Sequence, residues 1–351
     1  MSYLRTVAIA PPPHVLDPAN VRYYADAFAR RWEMRPEVLL RILENAHVHT
    51  RHSVLPIEDV VQPRTFKQNN DLFIEHSLSL GAEAVQKCVE QAGITLADID
   101  MLITVSCTGI MIPSVDAFLI DRLGFRRDCK RMPITELGCA AGAVGLSRAH
   151  EYVRAFPDAN VLVLAIELPS LTFQPKDVNM AHVVSAIIFG DGVACALVSG
   201  KKLGPSLNLL DNRSYLFPNS SRYMGFDIDG EGFHIVLDKN VPMAVRSAIG
   251  GLLGDFLSSH HLSVEQLVFH ALHPAGKKVL HFIEDELKVP QTLTASTWDV
   301  LRDHGNMSSA SILYVLRQLM QVHTPSEGAL GSIVAFGPGF SAEMLLARWE
   351  A

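Results

Sequence analysis

Short apolar runs alternate with stretches of helical periodicity along most of this chain, and that alternation limits the fold more than any other feature. In the first half the spacing predicts amphipathic helices over Tyr23–Trp32, Pro36–Glu44 and Asp71–Ala92, the last stopped by Gly93. Met101–Cys107 then reads as a buried strand, Val115–Leu123 as a helix, Arg131–Leu137 as a strand, Ala140–Phe156 as a helix and Val161–Glu167 as a strand. Strands alternating with helices specify an α/β fold, a parallel sheet covered on both faces. The stretch Asn208–Gly232, rich in Asn, Ser, Gly and Asp, reads as a loop. After it the pattern resumes, with helices over Pro242–Leu257, Lys277–Leu287 and Ser308–Val322 and strands over Leu267–Ala271, Gly331–Ala335 and Met344–Trp349. The same grammar used twice implies two pseudo-duplicated halves, although no repeat is visible in the residues themselves. The segment Gly200–Pro205 divides them into residues 1–203 and 204–351, each large enough to bury its own core.

Composition removes several classes of function. Hydrophobic residues make up 48%, but runs such as Val161–Glu167 and Ala181–Phe189 fall well short of the ~20 residues a membrane span needs. The net charge is −7 with no basic run, which argues against nucleic acid and requires any anionic substrate to find a local cationic mouth. Cys88, Cys107, Cys129, Cys139 and Cys195 are odd in number and scattered, a pattern that fits neither a disulfide framework nor a zinc site. The expectation is free thiols, no metal and a reducing cytoplasm. At the N-terminus a short apolar run ends in Pro11–Pro13 without a small-residue cleavage site, so it does not read as a secretory signal.

Glu136-Leu-Gly-Cys-Ala-Ala-Gly142 lies where a predicted strand turns into a helix, which puts Cys139 at a helix N-terminus. Unpaired N–H groups and the positive dipole end favour a thiolate there. Gly138, Gly142 and Gly145 leave room for a tight turn and close packing. His273 follows an apolar strand and precedes Pro274 and Gly276, so it sits at a strand end, where open α/β sheets place their sites. His270 is its competitor in the same strand, but residues an odd number apart face opposite ways. His47, His49, His52 and His76 read as solvated or satisfied side chains. Asn306 and Ser308 precede a helix and could be plain N-caps, and Gly337-Pro338-Gly339 is a rigid bend after a strand. Cys, His and Asn together serve two chemistries. In a hydrolase the His deprotonates the thiol and the Asn orients the His. In a decarboxylating condensation the Cys carries an acyl group while His and Asn donate hydrogen bonds to a thioester enolate.

The ordered set Gly138-Cys139-Ala-Ala-Gly142, Phe189-Gly-Asp-Gly192, His273-Pro274, Gly305-Asn306-Met-Ser-Ser309 and Gly337-Pro-Gly339 resembles the type III polyketide synthases, the chalcone and stilbene synthase superfamily, in particular its bacterial members. The resemblance runs from about residue 5 to the C-terminus. It implies the thiolase fold, a five-layered αβαβα arrangement, a homodimer, and CoA thioesters as substrates with no cofactor. Carried over, it makes Cys139 the nucleophile and His273 with Asn306 the decarboxylation and oxyanion pair. Phe189 and Phe233 match the aromatic gatekeepers between CoA tunnel and cavity. Cys107 falls at a cavity position, and Ile112 matches a residue that crosses the dimer interface. Pro169, Thr172, Phe226, Ser308, Gly337, Pro338 and Gly339 complete the implied substrate wall. Of the family's CoA cations the chain keeps Arg41, with Val38 and Asn45 at the other positions, and Lys277 or Lys278 is expected to contribute by charge.

The expected activity is transfer of an acyl-CoA starter to Cys139, repeated decarboxylative condensation of malonyl-CoA, and cyclisation to a resorcinol, naphthol or pyrone. A malonyl-only route to a tetrahydroxynaphthalene-like product is one form of it, and an alkylpyrone or alkylresorcinol synthase fed by a long-chain acyl-CoA is another. A ketoacyl synthase of the fatty-acid-initiating type is the nearest rival. The Cys-to-His spacing also admits a papain-like hydrolase, which the parallel α/β grammar and the missing Cys-Gly-Ser-Cys signature oppose.

Overall fold

The computed structural model describes residues 1–17, 19–20, 22, 29 and 35–351; the helix expected over Tyr23–Trp32 lies almost wholly outside the described residues. The strands are β1 (Tyr3–Ile9), β2 (His14–Leu16), β3 (Arg51–Ser53), β4 (Met101–Val105), β5 (Lys130–Ile134), β6 (Asn160–Glu167) and β7 (Gly192–Ser199). They continue with β8 (Ser206–Leu216), β9 (Met224–Ile228), β10 (Phe233–Leu237), β11 (Phe269–Leu272), β12 (Leu330–Gly337) and β13 (Ser341–Glu350). The longer helices are α1 (Pro36–Asn45), α2 (Phe66–Ala92), α3 (Val115–Leu123), α4 (Ala141–Ala155) and α5 (Met180–Ile188), then α6 (Val241–Ser258), α7 (Lys277–Leu287), α8 (Ala295–His304) and α9 (Ala310–Gln321).

Nine of the strands are hydrogen-bonded in the order β11-β12-β13-β8-β1-β7-β6-β4-β5. The order hides a repetition. In β4-β6-β7-β1 the first pair is parallel and the next two antiparallel, and β11-β12-β13-β8 has the same senses in the same sequence. The two first strands join the halves through only two pairs, Tyr3 with Asn208 and Leu4 with Leu207. β5 has no counterpart in the second half.

Alternation along the strands sorts the core into layers. On β6, Val161, Val163 and Ala165 face one cluster while Leu162, Leu164 and Ile166 face another. The first cluster also takes Ile333 and Ala335 from β12 and the buried sides of α4 and α9, so these two helices are sandwiched between the two parts of the array, the first sheet (β1-β7-β6-β4-β5) and the second (β11-β12-β13-β8), which join at β1–β8. The opposite face of the first sheet is covered by α2 and α3, through residues such as Val85, Cys88 and Leu119. The opposite face of the second is covered by α6, α7 and α8, through residues such as Leu253, Ile283 and Leu301. The result is αβαβα, five layers with a shared helical centre. No helix among the described residues is long and apolar enough to cross a membrane.

Two departures from the sequence expectation have clear causes. α2 begins at Phe66, not near Asp71, because Thr65 and Gln68 form a capping box: the Thr65 hydroxyl accepts from the Gln68 N–H at 3.3 Å and the Gln68 amide accepts from the Thr65 N–H at 2.9 Å. The stretch Asn208–Gly232 is not a loop. It supplies most of β8, the first strand of the second half, and all of β9, which pairs with β10. Its polar residues are stabilised across strands and helices, with Asp211 2.8 Å from the His260 imidazole and Arg213 donating to Ser259 at 3.3 Å, so tertiary pairing overrides weak strand propensity.

Candidate active site

The two central helices meet at their N-termini. A Cβ added to Gly142 on α4 would lie 2.2 Å from the Ser309 carbonyl oxygen just ahead of α9, so only glycine allows this approach. Cys139 lies in a tight turn, Gly138–Ala140, directly before α4, and Asn306 and Ser308 lie directly before α9. His273 follows β11. The turn carrying Cys139 is set by left-handed backbone at Glu136 (φ 61°) and Gly138 (φ 46°). It is braced from the second half: a Cβ on Gly138 would meet Pro338 at 2.7 Å, and one on Gly337 would meet the Leu137 carbonyl oxygen at 2.5 Å.

All three side chains line one cavity of about 620 Å³. Cys107, Ile112, Pro169, Thr172, Phe189, Phe226, Phe233, Ser308 and Pro338 line it too. Gly337 and Gly339 are not in its wall. Gly337 instead backs the Cys139 turn, which corrects the expectation that the whole bend faces substrate. His270 also stays out, facing Ser332 at 2.8 Å. Arg41, Lys277 and Lys278 are exposed outside the cavity. Leu39 and Leu43 line it from α1, and Arg41, midway between them, is about 200° around the helix from each.

Asn306 is fixed from both directions. Its N–H donates to the Ile188 carbonyl at 2.9 Å and its carbonyl accepts from Gly190 N–H at 3.0 Å, which ties it to the backbone around Phe189. Its side-chain Oδ1 accepts from the Ser308 N–H at 2.8 Å, so the amide NH2 is the end left for the cavity. The His273 imidazole is buried, with no hydrogen-bond partner on either ring nitrogen among the described residues. Burial pushes it down to about 3, so it is neutral and carries one N–H to donate. Burial pushes the Cys139 thiol up to about 12, against opposing hydrogen bonds from Ser308 and Asn306 and with Glu167 adding to the rise. At neutral pH a thiolate in this cavity needs a base to take its proton, and the neutral His273 imidazole lines the same cavity. Burial therefore outweighs the pull toward a thiolate expected from the helix N-terminus.

Glu167 had no place in the sequence reading. Its buried carboxylate closes β6 and accepts from Thr108 Oγ at 2.9 Å, the Cys107 N–H at 3.2 Å and Ser309 Oγ at 2.5 Å. Burial raises its pKa. The available signal was a charge at the end of an otherwise apolar strand. The Gly-Asp-Gly motif after Phe189 has a comparable use: Asp191 accepts from Val54 N–H at 2.8 Å and from Ser170 N–H and Oγ at 2.8 and 2.6 Å, anchoring the segment that carries Phe189. Phe226 and Phe233, both in the cavity wall, meet edge to face with ring centroids 5.3 Å apart.

Comparison with known proteins agrees with this geometry. Residues 6–202 match the family model for chalcone and stilbene synthases, N-terminal domain, and residues 209–349 match the C-terminal domain. The chain is 39% identical over 316 residues to a 1,3,6,8-tetrahydroxynaphthalene synthase of Streptomyces peucetius subsp. caesius, covering 89% of this chain and 84% of that protein. It is 37% identical over 324 residues to a putative chalcone synthase of Bacillus subtilis, covering 89% of each. The crystal structure of 1,3,6,8-tetrahydroxynaphthalene synthase from Streptomyces coelicolor superposes with a TM-score of 0.94 at 34% identity, over 99% of both chains. With both family models matched across nearly its whole length and the thiolase-like layers in place, the chain belongs to the chalcone and stilbene synthase family and is a type III polyketide synthase, a decarboxylating condensing acyltransferase.

Proposed function

We propose that Cys139 carries the growing chain, that His273 and Asn306 hold the thioester oxygen, and that malonyl-CoA alone supplies a naphthol-type product. The observation that carries the reading is the convergence, on one cavity, of a thiol, an imidazole with neither nitrogen hydrogen-bonded among the described residues, and an amide whose oxygen is held by Ser308 so that its NH2 is turned to the thiol. In the loading step His273 takes the thiol proton, the thiolate attacks the acyl carbonyl, the C–S bond to CoA breaks and the proton leaves on CoA. In the extension step the bond to the malonyl carboxylate breaks, its electron pair passes to the enolate, and neutral CO2 departs. Neutral His273 and Asn306 each donate one hydrogen bond to the enolate oxygen. The enolate carbon then attacks the acyl group on Cys139 and the thiolate is released for the next round.

The malonyl-only form is supported by the relatives named tetrahydroxynaphthalene synthases. A second form, a fatty acyl starter, is favoured by the apolar wall contributed by Leu16, Leu39, Leu43, Ile57 and Val60. Incubation with malonyl-CoA alone and with a ladder of acyl-CoA starters, read by product mass spectrometry, separates them: a naphthol from malonyl-CoA alone is expected, and products only with long starters would replace the first form by the second.

The CoA phosphates stay outside the cavity, and Arg41, Lys277 and Lys278 are their proposed partners. Lys277 lies in a cationic setting with His47, His49, His281 and Arg302, where burial and then these charges lower the His47 pKa. No further cofactor enters this chemistry. The working form is a cytoplasmic homodimer whose halves divide at 203/204. Ile112 is 94% exposed while also touching the cavity, which a partner subunit would cover. Light scattering should return two chains for the wild type and one for Ile112→Asp; a wild-type monomer would refute the dimer.

A further inference from the structure

Arg51 stands in the cavity wall, and among the described residues no carboxylate forms an ion pair with its guanidinium. It lies on β3, is 5% exposed, and lines the cavity. Its stem runs along the two glycines beside the Phe189–Asn306 bridge: an added Cβ on Gly190 would be 3.0 Å from Arg51 Cβ, and one on Gly305 would be 3.2 Å from Arg51 Cγ. Its Nε is buried without a hydrogen bond. Asp191 acts on it only through longer-range charge, because the Asp191 carboxylate is occupied by Val54 and Ser170. Burial lowers the Arg51 pKa only to about 10, so the group remains a cation at neutral pH. A buried cation without a hydrogen-bonded counter-charge is costly for a fold, and the cost is offset when the ligand brings the anion.

We propose that Arg51 receives the carboxylate of malonyl-CoA inside the cavity and so favours acyl groups ending in carboxylate over neutral ones. A guanidinium presents paired donors that match a carboxylate. The phosphates of a CoA thioester lie at its far end, whereas the Arg51 stem packs against Gly305, the chain neighbour of Asn306, in the cavity that holds the reacting groups, and this favours the carboxylate. When CO2 leaves, the negative charge moves to the enolate at His273 and Asn306, and Arg51 loses its partner. Arg51 therefore acts in binding and not in lowering the barrier. The inference rests on the polyketide synthase reading and names the acyl class that this cavity selects.

The test compares wild type and Arg51→Met in two assays, steady-state decarboxylation of malonyl-CoA and transfer of a hexanoyl group from hexanoyl-CoA to Cys139 followed by intact mass. The expected result is a KM for malonyl-CoA raised about 10- to 100-fold with kcat equal to or above the wild-type value, and hexanoyl transfer within about twofold of wild type. An unchanged KM overturns the proposal, and so does an equal loss of hexanoyl transfer, which would make Arg51 a structural residue. If Arg51→Met does not fold, Arg51→Lys carries the test: a malonyl-specific rise in KM supports the proposal and an unchanged KM overturns it. A wild-type protein inactive in both assays would instead refute the roles given to Cys139, His273 and Asn306.

Discussion

Burial holds both His273 and Cys139 neutral at pH 7, and the proposed mechanism charges them together by proton transfer from thiol to imidazole. That coupling has a measurable form. On the proposed mechanism, proton transfer to the imidazole supplies the wild-type thiolate at neutral pH. In His273→Ala the acceptor is gone, and Cys139 is left with the raised value of about 12 that burial gives it. Alkylation of Cys139 by iodoacetamide at pH 7 should fall at least about tenfold in this variant and then climb roughly tenfold per pH unit through the alkaline range, because the thiolate is the nucleophile. Equal alkylation of the two proteins at pH 7 would show that the thiolate forms without His273. Asn306→Asp is a complementary change: it keeps the shape but exchanges a donor for an acceptor and an anion, and decarboxylation should drop at least about 100-fold.

At the scale of elements, the contact between the N-termini of α4 and α9 decides whether residues from the two halves can meet. Gly142→Ala would press a methyl group against the Ser309 backbone at 2.2 Å, whereas Gly145→Ala would meet a side-chain methyl of Val163 on β6 at 2.7 Å, a clash within the first half that leaves the α4–α9 contact alone. The expected outcome is a loss of about 1–3 kcal/mol and at least about tenfold in rate for Gly142→Ala, with a smaller loss of stability and near-normal rate for Gly145→Ala. Melting curves and initial rates of both variants decide the point, and equal behaviour would mean that α4 and α9 can separate without cost. These elements were legible because their signals are local. Cys139 at a strand-to-helix turn, His273 at a strand end and Asn306 before a helix each follow from glycines, prolines and periodicity within about ten residues. β8 was not legible, because Asp211, Asn212 and Arg213 sit in a strand only by virtue of pairing with β13 more than 100 residues away. Glu167 and Arg51 escaped for a related reason: a single charge in an apolar segment gains its meaning from what the fold brings to it. The exposed position of Arg41 followed from helical phase, which a residue-by-residue likeness does not weigh.

For the molecule as a whole, the five layers bury histidines that water would otherwise charge. His150, His270 and His304 are pushed down to about 4 and His273 to about 3, in each case chiefly by burial. A histidine whose folded value lies below its unfolded value of ~6.5 binds more protons when unfolded, so its contribution to stability is intact above pH 6.5 and is lost as the pH falls toward its folded value. Raised carboxylates work in the opposite direction. Asp191, pushed up to about 6 by burial, favours the folded state as the pH drops from 6 toward 3.8, and Glu167 and Glu343 act in the same sense. The histidine shifts are larger and more numerous than the one large carboxylate shift, so the balance is acid lability between pH 6.5 and 4. Because α4 and α9 serve both sheets and the halves share one nine-stranded array, loss of packing in one half removes the support of the other, and a single cooperative transition is expected. Melting temperature should therefore hold between pH 7 and 8 and fall by roughly 10 °C or more by pH 5, with activity and secondary structure lost together. A melting temperature that stayed flat down to pH 5, or activity lost well before structure, would show that the buried histidines are not what sets the acid limit.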